Sequence, residues 1–142
     1  MAHEPTEPPS GLAAAAALVG DRWSMLVVDA LLGGPRRFGE LREDLPGAAP
    51  SVLSARLKAL EHDGLVLALP YQERPSRFAY QLTEAGAELA GALRLLAQWG
   101  ARHAEGATPL HTACGTPLEA RWFCPTCGVV VDEPAHDDTH LV

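Results

Sequence analysis

From Pro46 to Thr83 the chain carries a helix with both ends marked, then two strand-length segments around a basic tip. Pro50 suits the first helical position, where its missing N–H leaves nothing unpaired. Leu53, Leu57 and Leu60 recur at i, i+4 and i+7 and form one apolar stripe. Gly64 supplies the stop, because glycine tolerates a left-handed backbone. Ser51, Ser54, Ala55, Lys58 and His62 lie largely off the stripe. Residues 65–69 and 77–82 read as short strands, with Arg74, Pro75 and Arg77 around their tip.

Helix, strand, basic loop, strand is the order of a winged helix-turn-helix. In such a fold, a helix bearing short or basic side chains brings its backbone close to DNA. The preceding residues supply the rest. Ser10 suits the cap of a first helix, Leu12–Val19. A second helix, Trp23–Leu32, has Asp21 as cap and places Trp23, Leu26, Val27, Ala30 and Leu31 on one face. Gly33-Gly34-Pro35 ends it, and Arg36 and Arg37 begin a short strand. A third helix, Phe38–Leu45, turns Phe38, Leu41 and Leu45 inward, and Pro46-Gly47 makes the tight connection of a helix-turn-helix.

After the wing, Thr83 and Glu84 start a long helix running to about Arg102. It carries two apolar stripes: Leu89, Leu93 and Leu96, and Ala92, Leu95 and Trp99. One small core needs only one stripe, so the helix is either fully covered within its own core or packs with its second stripe on a partner subunit as a homodimer, the favoured reading. A dimeric helix-turn-helix reads the two half-sites of a palindromic operator, spaced about one helical turn apart. The fold class is therefore mainly α with a small β wing. Residues 1–9 are expected to be disordered, 10–102 form the winged domain, and 103–142 form a tail.

The net charge of −7 sits badly with a double-stranded DNA partner until it is divided along the chain. Residues 21–102 hold ten Lys/Arg and ten Asp/Glu, so the acidity lies in the two ends. Local potential, not the total, governs phosphate contact. The candidate DNA-contacting set is Arg36, Arg37, Ser51, Ser54, Ala55, Arg56, Lys58, Arg74 and Arg77. Arg56 has two roles open, a DNA contact or an internal ion pair. Serine and alanine discriminate bases weakly, so shape and half-site spacing should carry much of the specificity.

The tail reads His111-Thr-Ala-Cys114-Gly, then Cys124-Pro-Thr-Cys127-Gly, with nine residues between Cys114 and Cys124. Each pair has two residues between its members, so a tight turn points both side chains at one metal. Leu118–Phe123 and Val129–Val131 are expected to be short strands. The pattern resembles a zinc ribbon, with His111, Cys114, Cys124 and Cys127 as a closed, structural Cys3His set holding one zinc per chain. His136 and His140 are alternative fourth ligands. A tail this small buries little, so metal would supply folding free energy on the order of 10 kcal/mol. A redox role, in which oxidation releases the metal, stays open beside the structural one.

Many short sequences match one family in order: Gly-Asp-Arg-Trp-Ser (20–24), Gly-Pro-Arg-Arg-Phe-Gly-Glu-Leu (34–41), Pro-Gly (46–47), Val-Leu-Ser-Ala-Arg-Leu-Lys-Ala-Leu-Glu (52–61) and Asp-Gly-Leu-Val (63–66). With Tyr71, Pro75, Tyr80, Leu82-Thr83, Gly86 and Trp99-Gly100, they resemble the HxlR-type winged-helix regulators over residues 10–102. The resemblance implies a homodimeric bacterial transcription factor, its fourth helix in the major groove and its wing along the backbone. It also implies that the first and last helices of this region build the dimer. Two positions depart from the pattern. Members that sense oxidants carry a cysteine before the first helix, where this chain has Ser10. Ala49 stands where the family has a serine-like cap.

Other classes fit less well. The chain shows no Gly-rich phosphate loop and no nucleophile–base pair, and one closed metal site would use all three cysteines, which argues against an enzyme. A winged-helix module for protein interaction is the runner-up, favoured by the acidic ends. No apolar run reaches the ~18 residues needed to span a bilayer, and no basic leader precedes Leu12–Val19, so a cytoplasmic protein is expected. Trp23 and Trp99 are candidate walls for a small-molecule effector pocket, with core packing as the simpler role for each.

Overall fold

The computed structural model describes residues 9–131. The expected disorder of 1–9 falls outside that range except for residue 9, as do His136 and His140. The described residues divide into two compact units, one spanning Leu12–Leu93 and the other joining residues 9–11 with residues 94–131.

The first unit is the winged helix-turn-helix. Its elements are α1 (Gly11–Val19), α2 (Arg22–Leu32), β1 (Arg36–Arg37), α3 (Phe38–Asp44), α4 (Pro50–His62), β2 (Val66–Glu73), β3 (Ser76–Leu82), α5 (Glu84–Ala87) and the start of α6 (Ala90–His103). The three strands order as β1-β3-β2, all antiparallel, with Arg36 opposite Tyr80 and Ala68 opposite Tyr80 on its other side.

The core follows from the helical stripes. Val27, Val28 and Leu31 of α2, Leu41 of α3, and Leu53, Leu57 and Leu60 of α4 are buried together with Leu45, Ala48, Leu65 and Val66. Each such aliphatic side chain contributes roughly 1.5–3 kcal/mol on burial. On α2 the inward face differs from the expected one. Ser24, Val27, Val28 and Leu31 are buried, whereas Leu26 is exposed. The helix is turned so that Val28, not Leu26, meets the core.

Helix ends obey local chemistry. The Asp21 carboxylate accepts hydrogen bonds from the backbone N–H groups of Trp23 and Ser24, at 3.1 and 3.0 Å, and so caps α2. Pro50 opens α4, whose cap residue Ala49 offers no side-chain hydrogen bond. Gly64 follows that helix at φ +75°, the left-handed region that favours glycine. Thr83 caps α5, its hydroxyl accepting from the Gly86 N–H and donating to the Gly64 carbonyl at 2.6 Å.

Two expectations need correction. The wing strands extend further than 65–69 and 77–82, reaching Glu73 and Ser76, with an irregularity between Pro70 and Gln72. The long helix from 84 to 102 is broken at Glu88 and Leu89 into α5 and α6. The break lies between Gly86 and Gly91, both weak helix formers. Gly86 also lies so close to the Leu65 carbonyl, just ahead of β2, that a Cβ there would clash with its oxygen. Leu89 and Leu93 pack on the core, but Leu96 and Trp99 are exposed.

In the second unit, the rest of α6 is followed by the tail. Gln98 Nε2 donates to the Leu118 carbonyl. The strands are β4 (Trp122–Cys124) and β5 (Val129–Val131), paired antiparallel with Cys124 opposite Val129. Residues 118–121, expected to be strand, are not.

Candidate nucleic-acid interface and cysteine turns

The stripe that anchors α4 also determines what it presents outward. With Leu53, Leu57 and Leu60 buried, Ser51, Ala55, Lys58 and His62 fall on the opposite side and are all exposed. Ser54 and Arg56 flank that face and are half-buried. No other part of the first unit covers it. A helix surface of two small residues and one lysine offers a close, weakly discriminating fit to a groove.

The basic residues fall into two groups. Arg56 Nη1 lies 3.4 Å from Asp21 Oδ2, Arg36 Nε lies 3.3 Å from Asp44 Oδ2, and Arg37 stacks 4.4 Å from the centre of the Tyr71 ring. These three are engaged inside the domain. For Arg56 the structure realises the internal ion pair. The other ion pair among the described residues is Arg121 with Glu119, so Lys58, Arg74 and Arg77 belong to none. Arg74 occupies the wing tip, its carbonyl accepting from Gln72 Nε2 at 3.0 Å, and Arg77 stands opposite Gln72 in the hairpin.

Residues missed in the sequence emerge as positioning groups. Asp21 was legible as a cap, yet its second oxygen also holds Arg56 of α4. Burial alone raises its pKa, but hydrogen bonds from Ser24 and the nearby Arg56 charge outweigh that and hold the carboxyl below its ordinary value. Tyr71 orients Arg37, and Arg42 of α3 is a further exposed basic residue outside the ion pairs. Burial, with help from the Glu61 charge, raises the Tyr80 phenol.

The tail turns bring their residues together pairwise. His111 Nδ1 lies 3.2 Å from Cys114 Sγ. Hydrogen bonds from the Thr116 side chain and backbone lower the Cys114 pKa, and hydrogen bonds from Cys127 and from the Thr126 N–H lower that of Cys124. All three cysteines are free thiols. Among the described residues, no three His, Cys, Asp or Glu side chains share one metal-sized site, so the two pairs stand apart. The donor chemistry, three thiols and one imidazole, fits zinc.

Neither candidate effector residue lines the concavity formed by the tail and the end of α6. That space of about 570 Å³ lies in the second unit and is walled by Leu95, Gln98, Arg102, Leu118 and Trp122. Trp23 packs against the core of the first unit, and Trp99 is 56% exposed and stacks on His103.

A family model described as HxlR-like helix-turn-helix matches residues 18–108. An uncharacterised HTH-type transcriptional regulator of Mycobacterium tuberculosis is 40% identical over 117 residues, 78% of this chain and 73% of that protein. The HTH-type transcriptional regulator YodB of Bacillus subtilis is 34% identical over 97 residues, 68% of this chain and 84% of that one. The structure of reduced YodB aligns with a TM-score of 0.59 at 32% identity, covering 70% of this chain and 97% of YodB. A solved chain from Pseudomonas aeruginosa aligns with a TM-score of 0.69 at 31% identity over 91% of this chain and 89% of that one. That coverage exceeds what residues 1–108 could supply and therefore includes tail residues. Among the described residues, no single helix is long and apolar enough to cross a membrane.

Proposed function

The chain belongs to the HxlR-like helix-turn-helix family, and on that premise we propose that it binds a palindromic operator as a homodimer. It is a DNA-binding transcriptional regulator of the HxlR/MarR type, not an enzyme. The observation that carries the proposed geometry is the bare outer face of α4. Ser51, Ala55 and Lys58 are exposed, and the same helix is anchored from behind by three buried leucines. This helix enters the major groove. Ser51, Ser54 and Ala55 lie against base edges, Lys58 meets phosphate, and Arg74 and Arg77 follow the backbone beside it. Arg36, Arg37 and Arg56 hold the reading head in shape through Asp44, Tyr71 and Asp21.

Support for the homodimer comes from apolar surface. On α1, Leu12 is 77% exposed and Leu18 is also exposed. On α6, Leu95, Leu96 and Trp99 are exposed. Exposed apolar side chains of this kind, on each helix taken by itself, mark surface available for association. A twofold arrangement would place two α4 helices on successive half-sites. The tail is read as a structural unit holding one zinc through its cysteines.

Gel retardation on the DNA upstream of the protein's own gene, paired with light scattering for mass, tests the proposal. A retarded complex with two chains per site is expected. Monomeric protein at micromolar concentration, or equal affinity for scrambled DNA, defeats it.

A further inference from the structure

The two tail turns repeat one another. His111, Cys114 and Gly115 recur thirteen positions on as Cys124, Cys127 and Gly128. In both turns the glycine sits at φ +69°. In both, its N–H donates to the carbonyl of the first ligand residue, Gly115 to His111 at 2.7 Å and Gly128 to Cys124 at 2.8 Å. The flanking pairing repeats as well, with Leu110 bridged to Pro117 and Phe123 opposite Val130. The His111 N–H bonds to the Thr116 carbonyl at 2.8 Å, and the equivalent residues, Cys124 and Val129, face each other in the hairpin.

Nothing apolar accounts for this order. From Ala104 to Val131 no residue is buried, and Trp122 and Phe123 stand 60% and 61% exposed. Two defined turns without a core call for another source of folding free energy, and in small units a metal is the usual one. Each turn presents two donors on one side, which is half of a tetrahedral set.

Resting on the zinc reading above, we infer that the tail is a duplicated metal-binding turn in which His111 occupies the ligand position held by Cys124 in the second copy. The fourth donor is then His111, not His136 or His140. The metal draws the two pairs into one closed sphere, with the Gly115 and Gly128 turns as matching halves.

The test is zinc content, measured by plasma mass spectrometry on full-length protein grown with added zinc and purified without chelator. Wild type should carry about one zinc per chain. Cys124→Ser and His111→Ala should lose most of it. His111→Cys should keep it, because the second turn already accepts cysteine at that position. His136→Ala and His140→Ala should match wild type. Limited proteolysis should show the tail protected only when zinc is bound. Absence of zinc from wild type overturns the zinc reading itself. Zinc retained by His111→Ala but lost from either C-terminal histidine variant overturns the duplicated turn and leaves a zinc site with another fourth donor. Loss of zinc from His111→Cys also counts against the equivalence.

Discussion

Arg56 of α4 and Asp21, the cap of α2, meet at 3.4 Å across thirty-five residues of sequence. Asp21 therefore does two things at once: one oxygen closes the N-terminus of α2, and the other holds the helix offered to DNA. The orientation of the reading head is thereby linked to the helix behind it.

Asp21→Ala should cost about 1–2 kcal/mol, mostly through the lost cap. Arg56→Ala should cost less than about 1 kcal/mol, because both partners are only half-buried and solvent screens the pair. Urea unfolding of the two variants checks the order. The sign of the pH effect follows from the depressed carboxyl. Its stabilisation is complete above the unfolded value of about 3.9 and disappears as pH falls through the lower folded value. Asp21→Asn should flatten that acid limb. An Asn variant that keeps the full wild-type acid slope would show that other carboxylates dominate it.

Lys58→Ala and Arg74→Ala should each weaken operator binding and reduce the slope of log affinity against log salt by about one. Arg56→Ala should change that slope less, since its guanidinium is engaged with Asp21. A salt titration across the three variants separates phosphate contacts from positioning groups. Identical slopes in all three would remove Lys58 and Arg74 from the contact set.

Gly86→Ala should destabilise the domain by roughly 1–3 kcal/mol, because the new Cβ would fall on the Leu65 carbonyl. Gly91→Ala meets nothing within 4 Å and should stabilise α6 by roughly 0.5–1 kcal/mol. Opposite shifts in melting temperature would establish that α5 is held by backbone contact with Leu65, the residue that leads into β2. Equal shifts would show that helix propensity alone governs both positions.

Trp99→Glu, and separately Leu96→Glu, should raise the dimer dissociation constant at least about tenfold while leaving the fold of the first unit intact, since neither side chain belongs to its core. Sedimentation equilibrium reads the first effect and circular dichroism the second. Unchanged dimers in both variants would move the association surface away from α6.

What the sequence alone determined is local. Pro50 and Gly64 bound α4, Leu53, Leu57 and Leu60 give it a buried side, and Asp21 caps α2. These signals act between residues a few positions apart, so spacing and side-chain chemistry suffice to read them. The tail turns were legible for the same reason, each as two His or Cys residues three positions apart followed by a glycine. Only the tertiary structure decided which arginines are engaged, because the partners of Arg56 and Arg37 lie thirty or more residues away and no local pattern pairs them. It also decided that α5 and α6 are separate. Gly86 reads as an ordinary weak point in a helix until the Leu65 carbonyl, brought beside it by the fold, leaves no room for a side chain.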